Sequence, residues 1–265
     1  MLEPLPTLRV PQRPVPAYGR ELAAGAAFDW LKAGWADLRA DPLPGLAYGM
    51  LLAALSWLVL AALFATGLLY LALPAVSGFL IIGPFLAVGL YEKSRLRAKG
   101  ESIGLLRMMR FRSASGAQLA YAGLLLGLLI LFWLRSADLL YALFFGLRPF
   151  PGAGEALANV MTTPRGWALL VTGCLVGGLF AAFAFAVSAF AVPMLVATRT
   201  DALTAMGTSM AMTLQNLPAM LAWGAIVTTG LALSAATGLL GLIVIFPVLG
   251  YGTWHAWQAV GQPAP

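Results

Sequence analysis

Residues 43–91 read LPGLAYGMLLAALSWLVLAALFATGLLYLALPAVSGFLIIGPFLAVGLY. These 49 consecutive residues contain no Lys, Arg, Asp or Glu. A helix needs about 20 apolar residues to cross the hydrocarbon core of a bilayer, so the stretch is too long for one crossing and fits two crossings joined by a tight turn. Residues 215–265 form a second stretch that lacks the same four residue types. The sequence therefore predicts a polytopic membrane protein built from helical hairpins.

The composition supports this prediction and argues against several classes of function. Of the 265 residues, 61% are hydrophobic and 10% are charged, whereas soluble domains average roughly 25% charged residues. The apolar runs are continuous rather than alternating, which disfavours a β-barrel. The single cysteine, Cys174, and the single histidine, His255, cannot by themselves form a thiolate cluster or a multi-histidine metal site. We therefore expect no enzymatic activity, no metal and no cofactor.

The net charge of +6 is distributed in a way that indicates a membrane rather than a nucleic acid. Thirteen of the sixteen Lys and Arg residues fall in residues 9–39, in residues 93–112 and at Arg199, close to the ends of apolar runs. Lys and Arg collect in this way on the cytoplasmic side of membrane proteins. We therefore expect both termini in the cytoplasm, phospholipids as partners, and no nucleic acid as a partner.

The order of apolar and polar segments predicts an all-α fold with six transmembrane helices. The helices form three hairpins, and an amphipathic surface helix precedes each hairpin. The spans are expected near residues 44–65, 78–91, 117–134, 167–196, 218–233 and 238–257. The surface helices are expected near residues 22–40, 102–113 and 201–215. The chain would then consist of an irregular cytosolic tail, residues 1–19, and one transmembrane domain, residues 20–265, with possible repeats over residues 20–91, 101–196 and 200–258.

The first surface helix, over residues 20–40, has the clearest pattern. Four apolar residues recur at helical spacing and form one stripe: Phe28, Leu31, Trp35 and Leu38. A strong stripe with two tryptophans, Trp30 and Trp35, is typical of a helix that lies in the membrane interface. A helix that docks on another protein has the same pattern. Both tryptophans are therefore candidate contacts to lipid or to a partner.

Few charged or titratable residues lie near the apolar runs. Arg135 and Asp138 are spaced to pair on one helix face at the far end of the third span. They form either a structural interfacial pair or a contact to a substrate or partner. A short interfacial helix is expected to follow over residues 139–147. His255, flanked by tryptophans, is either an aromatic-belt residue or a haem or metal ligand that requires a second ligand.

Glycines and prolines mark places where helices pack closely or break. Three small-xxx-small pairs are candidates for close helix packing: Gly45/Gly49, Gly123/Gly127 and Gly173/Gly177. One proline interrupts the second span of each hairpin: Pro84, Pro193 and Pro247. These prolines are either architectural or mark discontinuous helices around a transport site.

Two blocks of sequence resemble a known family. The first contains Trp30-Leu31, Gly34-Trp35-x-Asp37-Leu38, Pro42-Leu43-Pro44, Leu46-Ala47-Tyr48-Gly49, Gly83-Pro84 and Gly89-Leu90-Tyr91-Glu92. The second contains Ser188, Pro193-Met194-Leu195, Asp201, Ala205-Met206, Thr208-Ser209, Asn216, Met220 and Trp223. With these motifs the chain resembles a family of uncharacterised bacterial integral inner-membrane proteins, domain of unknown function 2189. One departure is Ala197-Thr198-Arg199, where a more acidic and basic stretch is expected.

The resemblance implies six membrane helices in the inner membrane of a Gram-negative bacterium and implies no reaction. Asp201 and Asn216 join the candidate partner or lipid contacts because they recur among the family's polar residues, together with Asp37, Ser188 and Ser209. These residues fall on the predicted surface helices or at the inner ends of spans. They form either a site on the cytosolic face or a constraint on folding.

Three functions compete at this point. The first is a non-catalytic accessory or structural subunit that packs against a larger membrane complex, respiratory or photosynthetic, through its apolar helices. The alternative is a transporter or flippase of neutral or lipidic cargo, which predicts an internal cavity near the three prolines. A third is a haem- or quinone-binding protein that uses His255.

Overall fold

A computed structural model describes residues 18–68, 72–110, 113–146 and 153–261. Over these ranges the chain forms α-helices and no strand, as the all-α prediction requires. The helices in chain order are α1 (Ala26–Ala40), α2 (Pro42–Ala65), α3 (Ala72–Leu86), α4 (Val88–Arg97), α5 (Leu105–Met109), α6 (Gly116–Phe145), α7 (Ala153–Thr162), α8 (Pro164–Ser188), α9 (Ala191–Ala197), α10 (Ala202–Gln215), α11 (Leu217–Ala236) and α12 (Leu242–Gly261). The predicted tail, residues 1–19, lies almost wholly outside the described residues.

Four helical segments in the described ranges are long and apolar enough to cross a membrane: Pro42–Ala65, Gly116–Phe145, Pro164–Ala197 and Leu217–Ala236. The predicted spans near residues 78–91 and 238–257 are not among them. The first is divided, because α3 ends at Leu86 and α4 begins at Val88. The second, α12, contains polar residues such as Thr253 and His255 in its last turns. The described residues thus contain four candidate membrane-spanning helices, which agrees with a multi-pass membrane protein.

The long helices form two groups that lie side by side. In the first group α12 packs against α1, α2 and α11. In the second group α3, α6 and α8 pack on one another, and α7 packs on α8. The two groups meet at the ring pair Phe79–Phe246, whose centroids are 5.9 Å apart. Three shorter helices, α4, α9 and α10, connect the groups at the end of the bundle that carries most of the Lys and Arg, which we call the basic end.

The break between α8 and α9 is caused by a serine from another helix. The Ser209 hydroxyl on α10 donates to the Ala186 carbonyl at 2.8 Å and accepts from the Phe190 amide at 3.0 Å. In an uninterrupted helix those two backbone groups would bond to each other, so the hydroxyl is inserted into the helical hydrogen-bond ladder. The predicted break at Pro193 is therefore wrong in position. Pro193 lies in the first turn of α9, where a missing N–H costs nothing.

The break between α3 and α4 follows Pro84 by three residues and is also supported by a distant side chain. The Leu90 amide bonds to the Ala87 carbonyl at 2.9 Å, which leaves the Leu86 carbonyl without its usual helical donor. The Tyr48 hydroxyl on α2 donates to that carbonyl at 2.7 Å. Pro247, in contrast, lies inside the continuous helix α12, so the predicted interruption there is wrong.

Two further predictions about helices need correction. The third span and the interfacial helix predicted over residues 139–147 form one helix, α6, which at about 1.5 Å per residue is about 45 Å long. In α1, the buried residues are Ala27, Trp30, Gly34 and Leu38. Phe28 and Trp35 are 56% and 45% exposed. The predicted stripe is therefore divided: Phe28 and Trp35 face outward, whereas Leu38 is buried and Leu31 packs against the core.

Candidate functional site: a cavity between two groups of helices

A large cavity lies between the two groups of helices. Its volume is about 1310 Å³, and its walls come mainly from α3, α6, α8, α11 and α12. Typical small-molecule pockets measure roughly 300–1,000 Å³, so this cavity is large enough for a lipid-sized molecule. The walls are dominated by apolar side chains and glycines, among them Phe79, Leu169, Gly173, Leu231 and Leu249. Pro84 lines the cavity, whereas Pro193 and Pro247 do not.

The cavity wall contains little charge. Within the described ranges Asp138 is the one charged residue that lines it. Asp138 pairs with Arg135 at 3.3 Å, and both side chains are exposed, at 62% and 83% respectively. The predicted i,i+3 pair is therefore present on the surface of α6, at the end remote from the basic end. A wall of this kind suits a neutral or apolar occupant better than an ion.

Leucines extend the cavity wall onto the outer surface of the bundle. Four of them line the cavity and are also exposed: Leu170, Leu214, Leu217 and Leu221. They lie on α8 on one side and at the α10–α11 junction and on α11 on the other. Since α8 packs on α3, α6 and α10 while α11 packs on α12 and α1, this side is the seam between the two groups. We call this seam the mouth of the cavity.

Three polar side chains in the cavity wall have no hydrogen-bond partner among the residues that the structure describes. They are Trp133 on α6, Thr213 on α10 and Trp223 on α11, which are 7%, 5% and 1% exposed. A buried polar group without a partner costs about 1–3 kcal/mol. An indole N–H can only donate, and a threonine hydroxyl can donate and accept. These three polar atoms have almost no accessible surface, so neighbouring side chains enclose them.

The depths of these three groups differ. Thr213 lies in the last turn of α10 and Trp223 in the second turn of α11, so both are at the basic end. Trp133 lies about 25 Å along α6 from its first residue, Gly116. Two of the unpartnered groups thus belong to residues at the basic end, and the third lies farther along α6.

On the opposite side of α12 from the cavity, Asp37 is the centre of a polar cluster at the basic end. Its Oδ2 accepts from the Ser94 hydroxyl at 2.6 Å and lies 3.0 Å from His255 Nε2. Arg97 approaches its Oδ1 at 3.4 Å. Burial raises the pKa of Asp37, but the hydrogen bonds from His255 and Ser94 and the neighbouring positive charge outweigh this effect and hold the pKa below its usual value.

A second ion pair of the same cluster joins Asp41 to Lys93. Lys93 Nζ lies 2.9 Å from Asp41 Oδ2 and donates to the Asp41 carbonyl at 3.0 Å, with the lysine side chain only 4% exposed. Arg97 donates to the Asp37 carbonyl at 2.8 Å. The hydrogen bond from Lys93 lowers the pKa of Asp41 below its usual value, against a smaller opposing effect of burial. Two cations of α4 thus bind the C-terminal end of α1, where the helix dipole favours positive charge.

This cluster changes the interpretation of His255 and of the basic segment. His255 Nε2 is engaged by Asp37, 218 residues earlier in the chain. Lys93 and Arg97, which the sequence assigned to topology and lipid contact, are largely used inside the protein. Within the described ranges no three His, Cys, Asp or Glu side chains lie together as metal ligands would. The cluster can hold α1, α4 and α12 together.

Glycines set the closest approach of α1 and α12. A Cβ on Gly34 would overlap the Val248 carbonyl and lie 2.7 Å from the Gly252 amide nitrogen. Beside this contact, Trp30 and Trp223 pack edge to face with centroids 5.9 Å apart. Trp30 is 5% exposed. It is therefore a packing residue and not the external contact predicted from the sequence, whereas Trp35 is exposed.

The predicted glycine pairs divide into packed and unpacked positions. Gly45 and Gly49 both pack on α12, Gly123 packs on the Phe85 ring, and Gly177 packs on the Trp133 ring. Gly127 and Gly173 have open space where a Cβ would stand, so they pack no helix of the described chain, and packing on a second chain stays a prediction. Gly49 lies against the Ile243 carbonyl, which is the acceptor that Pro247 leaves without a helical donor.

Asp201 and Asn216 have structural partners. The Asp201 carboxylate accepts from the Thr204 amide at 2.9 Å and caps α10, and this backbone hydrogen bond lowers its pKa. Asn216 is 1% exposed. Its amide group donates to the Tyr18 carbonyl at 2.7 Å, and its carbonyl oxygen accepts from the Arg20 amide at 3.0 Å. Asn216 therefore attaches the N-terminal segment to the basic end.

Sequence reasoning missed Ser94, Thr213, Trp133 and the pairing of Asp37. One signal for the cluster around Asp37 was available in the sequence: Lys93 and Arg97 are four residues apart and therefore share a face of one helix. No local pattern identifies Thr213 or Trp133, because their significance depends on the empty space between α-helices that are distant in sequence.

The chain was compared with family models, curated proteins and solved structures. A search of curated proteins found no match, and a search of solved structures found none. A family model matches residues 71–197, which cover α3 to α9 and thus the part of the cavity wall that α3, α4, α6 and α8 supply. The resembling residues before residue 71 and after residue 197 lie outside the match. Residues 71–197 match the model described as "Predicted integral membrane protein (DUF2189)", which is the family that the sequence resembles.

Proposed function

We propose that this protein takes a lipidic molecule from the bilayer into the cavity between its two groups of helices, as a lipid transporter or flippase does. The observation that supports this proposal is the cavity of about 1310 Å³, with apolar walls and a mouth lined by exposed leucines. Cargo that is already dissolved in the membrane can reach such a mouth sideways. Because the bilayer interior is as apolar as the cavity wall, such cargo enters without hydrophobic gain and is held by van der Waals packing against the wall.

The proposal includes six crossings of a bacterial inner membrane, with both termini in the cytoplasm. Helices α2, α6, α8 and α11 supply four crossings. The fifth and sixth are α3, continued by α4, and α12, which pack among the long helices. The basic end then faces the cytoplasm, because Lys and Arg are retained there. In this arrangement the mouth runs along the seam from Leu214 and Leu217 at the cytoplasmic end toward Leu170 near the opposite end of α8.

A second candidate is the accessory subunit of a larger membrane complex. The surface of α6 that faces away from the bundle favours it, since Leu124, Leu128 and Leu131 are exposed there and Gly127 leaves room for a close helix. Purification from native membranes in mild detergent tests it. Recovery with a larger complex supports it, and recovery of the protein alone at natural abundance contradicts it.

The cavity itself can be tested with two matched glycines. Gly173 and Gly127 are both helical and both have open space at the Cβ position, but only Gly173 lines the cavity. We expect Gly173→Trp to place an indole in the cavity and to lower the amount of lipid retained per protein, measured by native mass spectrometry from nanodiscs. Gly127→Trp places the same side chain on the outside and serves as the control.

The same pair of variants also shows how the proposal fails. Equal lipid retention by both variants and the unmodified protein would mean that the retained lipid is not in the cavity. Photocrosslinking with a diazirine-bearing phospholipid gives a second readout. Its crosslinks are expected on inward-facing segments near Gly173 and Leu231, and crosslinks confined to outward-facing residues such as Leu175, which is 66% exposed, would contradict the proposal.

A further inference from the structure

The outward face of α6 carries a line of exposed side chains that includes a charged pair. Leu124, Leu128 and Leu131 are each more than half exposed. Arg135 and Asp138 continue the same alternating spacing of four and three residues, and their side chains are also exposed. At 3.6 residues per turn the five side chains fall within an arc of roughly 80° on the helix. We call this line of five residues the α6 stripe.

The charged pair is what distinguishes this face from ordinary lipid-facing surface. Exposed leucines alone do not require a protein partner, because lipid chains are as apolar as leucine. Beyond the pair, however, α6 continues with Leu139 and Leu143, which are 71% and 76% exposed. Arg135 and Asp138 therefore have exposed apolar surface on both sides along the helix. Charges in such surroundings are costly unless other groups of opposite charge bind them.

The pair uses a small part of its hydrogen-bonding capacity within the described chain. One hydrogen bond joins its members, from Arg135 Nη1 to Asp138 Oδ2 at 3.3 Å. A guanidinium has five N–H donors, and a carboxylate has two acceptor oxygens. Each member can therefore bind a second group of opposite charge. A partner that carries one positive and one negative group at the same height satisfies both members at once.

A second copy of the chain meets this requirement by symmetry. Two copies in one membrane have the same orientation, so their α6 stripes run in the same direction when they meet about a twofold axis. The spacing of alternately three and four residues is that of a helix pair in a coiled coil. Arg135 and Asp138 lie about 4.5 Å apart along the helix, and packed helices have axes about 8–10 Å apart. The arginine of each copy can therefore reach the aspartate of the other.

We propose that the protein forms a twofold dimer through the α6 stripe, in which the leucines of the two copies pack together and Arg135 of each copy binds Asp138 of the other. This inference goes beyond the proposed function. Trp133 lies on the opposite face of α6 and lines the cavity, with Asp138 at the rim, so each copy keeps a cavity of its own. The dimer covers the surface that an accessory subunit would offer to a larger complex.

Charge reversal tests the proposed contact. Copies with two different affinity tags are expressed together, purified in mild detergent through one tag, and assayed for the other. Unmodified copies are expected to co-purify. Arg135→Asp alone, or Asp138→Arg alone, brings like charges together and is expected to weaken the self-association at least about 10-fold. An Arg135→Asp copy and an Asp138→Arg copy are expected to pair with each other as unmodified copies do. Lys32→Asp, in an exposed i,i+3 pair on α1, is the control and should change nothing.

Crosslinking between cysteines gives a second readout in the full-length protein. With Cys174→Ala as the background, Leu128→Cys is expected to crosslink two copies, whereas Leu175→Cys, on α8 and 66% exposed, is not. Three results would overturn the inference: a mass of one copy in native mass spectrometry from nanodiscs, failure of the two charge-reversed variants to pair with each other, or crosslinks from Leu128→Cys to a different protein.

Discussion

The break between α8 and α9 depends on a single hydroxyl, and its removal provides the sharpest test of the fold. We consider Ser209→Ala. Ser209 is 0% exposed and Phe190, whose amide it accepts from, is also 0% exposed. The variant leaves the Phe190 amide and the Ala186 carbonyl without their partner, in a site that water does not reach. Each such group costs about 1–3 kcal/mol. We therefore expect a loss of about 2–4 kcal/mol in the free energy of unfolding.

Ser188→Ala is the matched control. Ser188 is 1% exposed, and its hydroxyl donates to the Ala184 carbonyl at 2.6 Å within its own helix. Removing it leaves that carbonyl with its backbone partner, so the loss is expected to be below about 1 kcal/mol. Thermal unfolding of the purified protein in detergent measures both, and the Ser209 variant is expected to melt roughly 5–15 °C lower. Hydrogen exchange at the Phe190 amide gives a local readout and should accelerate in the Ser209 variant only.

The reasoning would be refuted by either of two results. Equal melting temperatures for the Ser209 and Ser188 variants would mean that the inserted hydroxyl contributes no more than an ordinary intrahelical bond. An unchanged exchange rate at the Phe190 amide would mean that α8 and α9 rejoin into one helix when the serine is removed. In that case Ser209 would shape the break without stabilising the protein.

Two further predictions concern α1. Because the pKa values of Asp37 and Asp41 are held below their usual value of 3.8 in the folded protein, their contribution to stability is present above that value and is lost as the pH falls through the folded pKa values. The melting temperature should therefore decrease when the pH is lowered below about 4. Asp37→Asn should make this decrease smaller, whereas Asp29→Asn, which alters an exposed pair, should leave it unchanged. A melting temperature that depends on pH in the same way in the Asp37 variant and the unmodified protein would contradict this prediction. Gly34→Ala should destabilise the protein by about 1–3 kcal/mol, because the added Cβ meets the backbone of α12. Gly207→Ala, at a position on α10 with open space, should stabilise it by up to about 1 kcal/mol. Equal effects of the two substitutions in thermal melts would show that α1 does not pack this closely on α12.

The membrane character of the fold was available from the sequence because hydropathy is a local property. The 49-residue run without charge already requires helices in lipid, since each backbone group must find a partner within its own segment. The long helices α2, α6, α8 and α11 lie where such runs predict them. The Arg135–Asp138 pair was predictable for the same reason, because residues three apart on a helix are always neighbours.

The inward faces of helices were harder to predict, and α1 shows why. In water a large apolar side chain is driven inward, but in a bilayer the surroundings are as apolar as the interior. Phe28 and Trp35 are therefore free to face outward, and Gly34 faces inward because it permits close approach to Gly252. Likewise Gly127 and Gly173 fit the small-residue pattern without packing on anything within the described structure.

Hydropathy and charge along the chain predict that it is helical, that it crosses a membrane several times and that most of its positive charge lies at one end. Each of these follows from the composition of segments about one membrane thickness long. The packing of the helices was needed to show that Ser209 is inserted between α8 and α9, that Asp37 meets His255 across 218 residues, and that two groups of helices leave a cavity between them. The physical reason is that all three depend on the distance between groups far apart in the chain, and the composition of a segment contains no information about that distance.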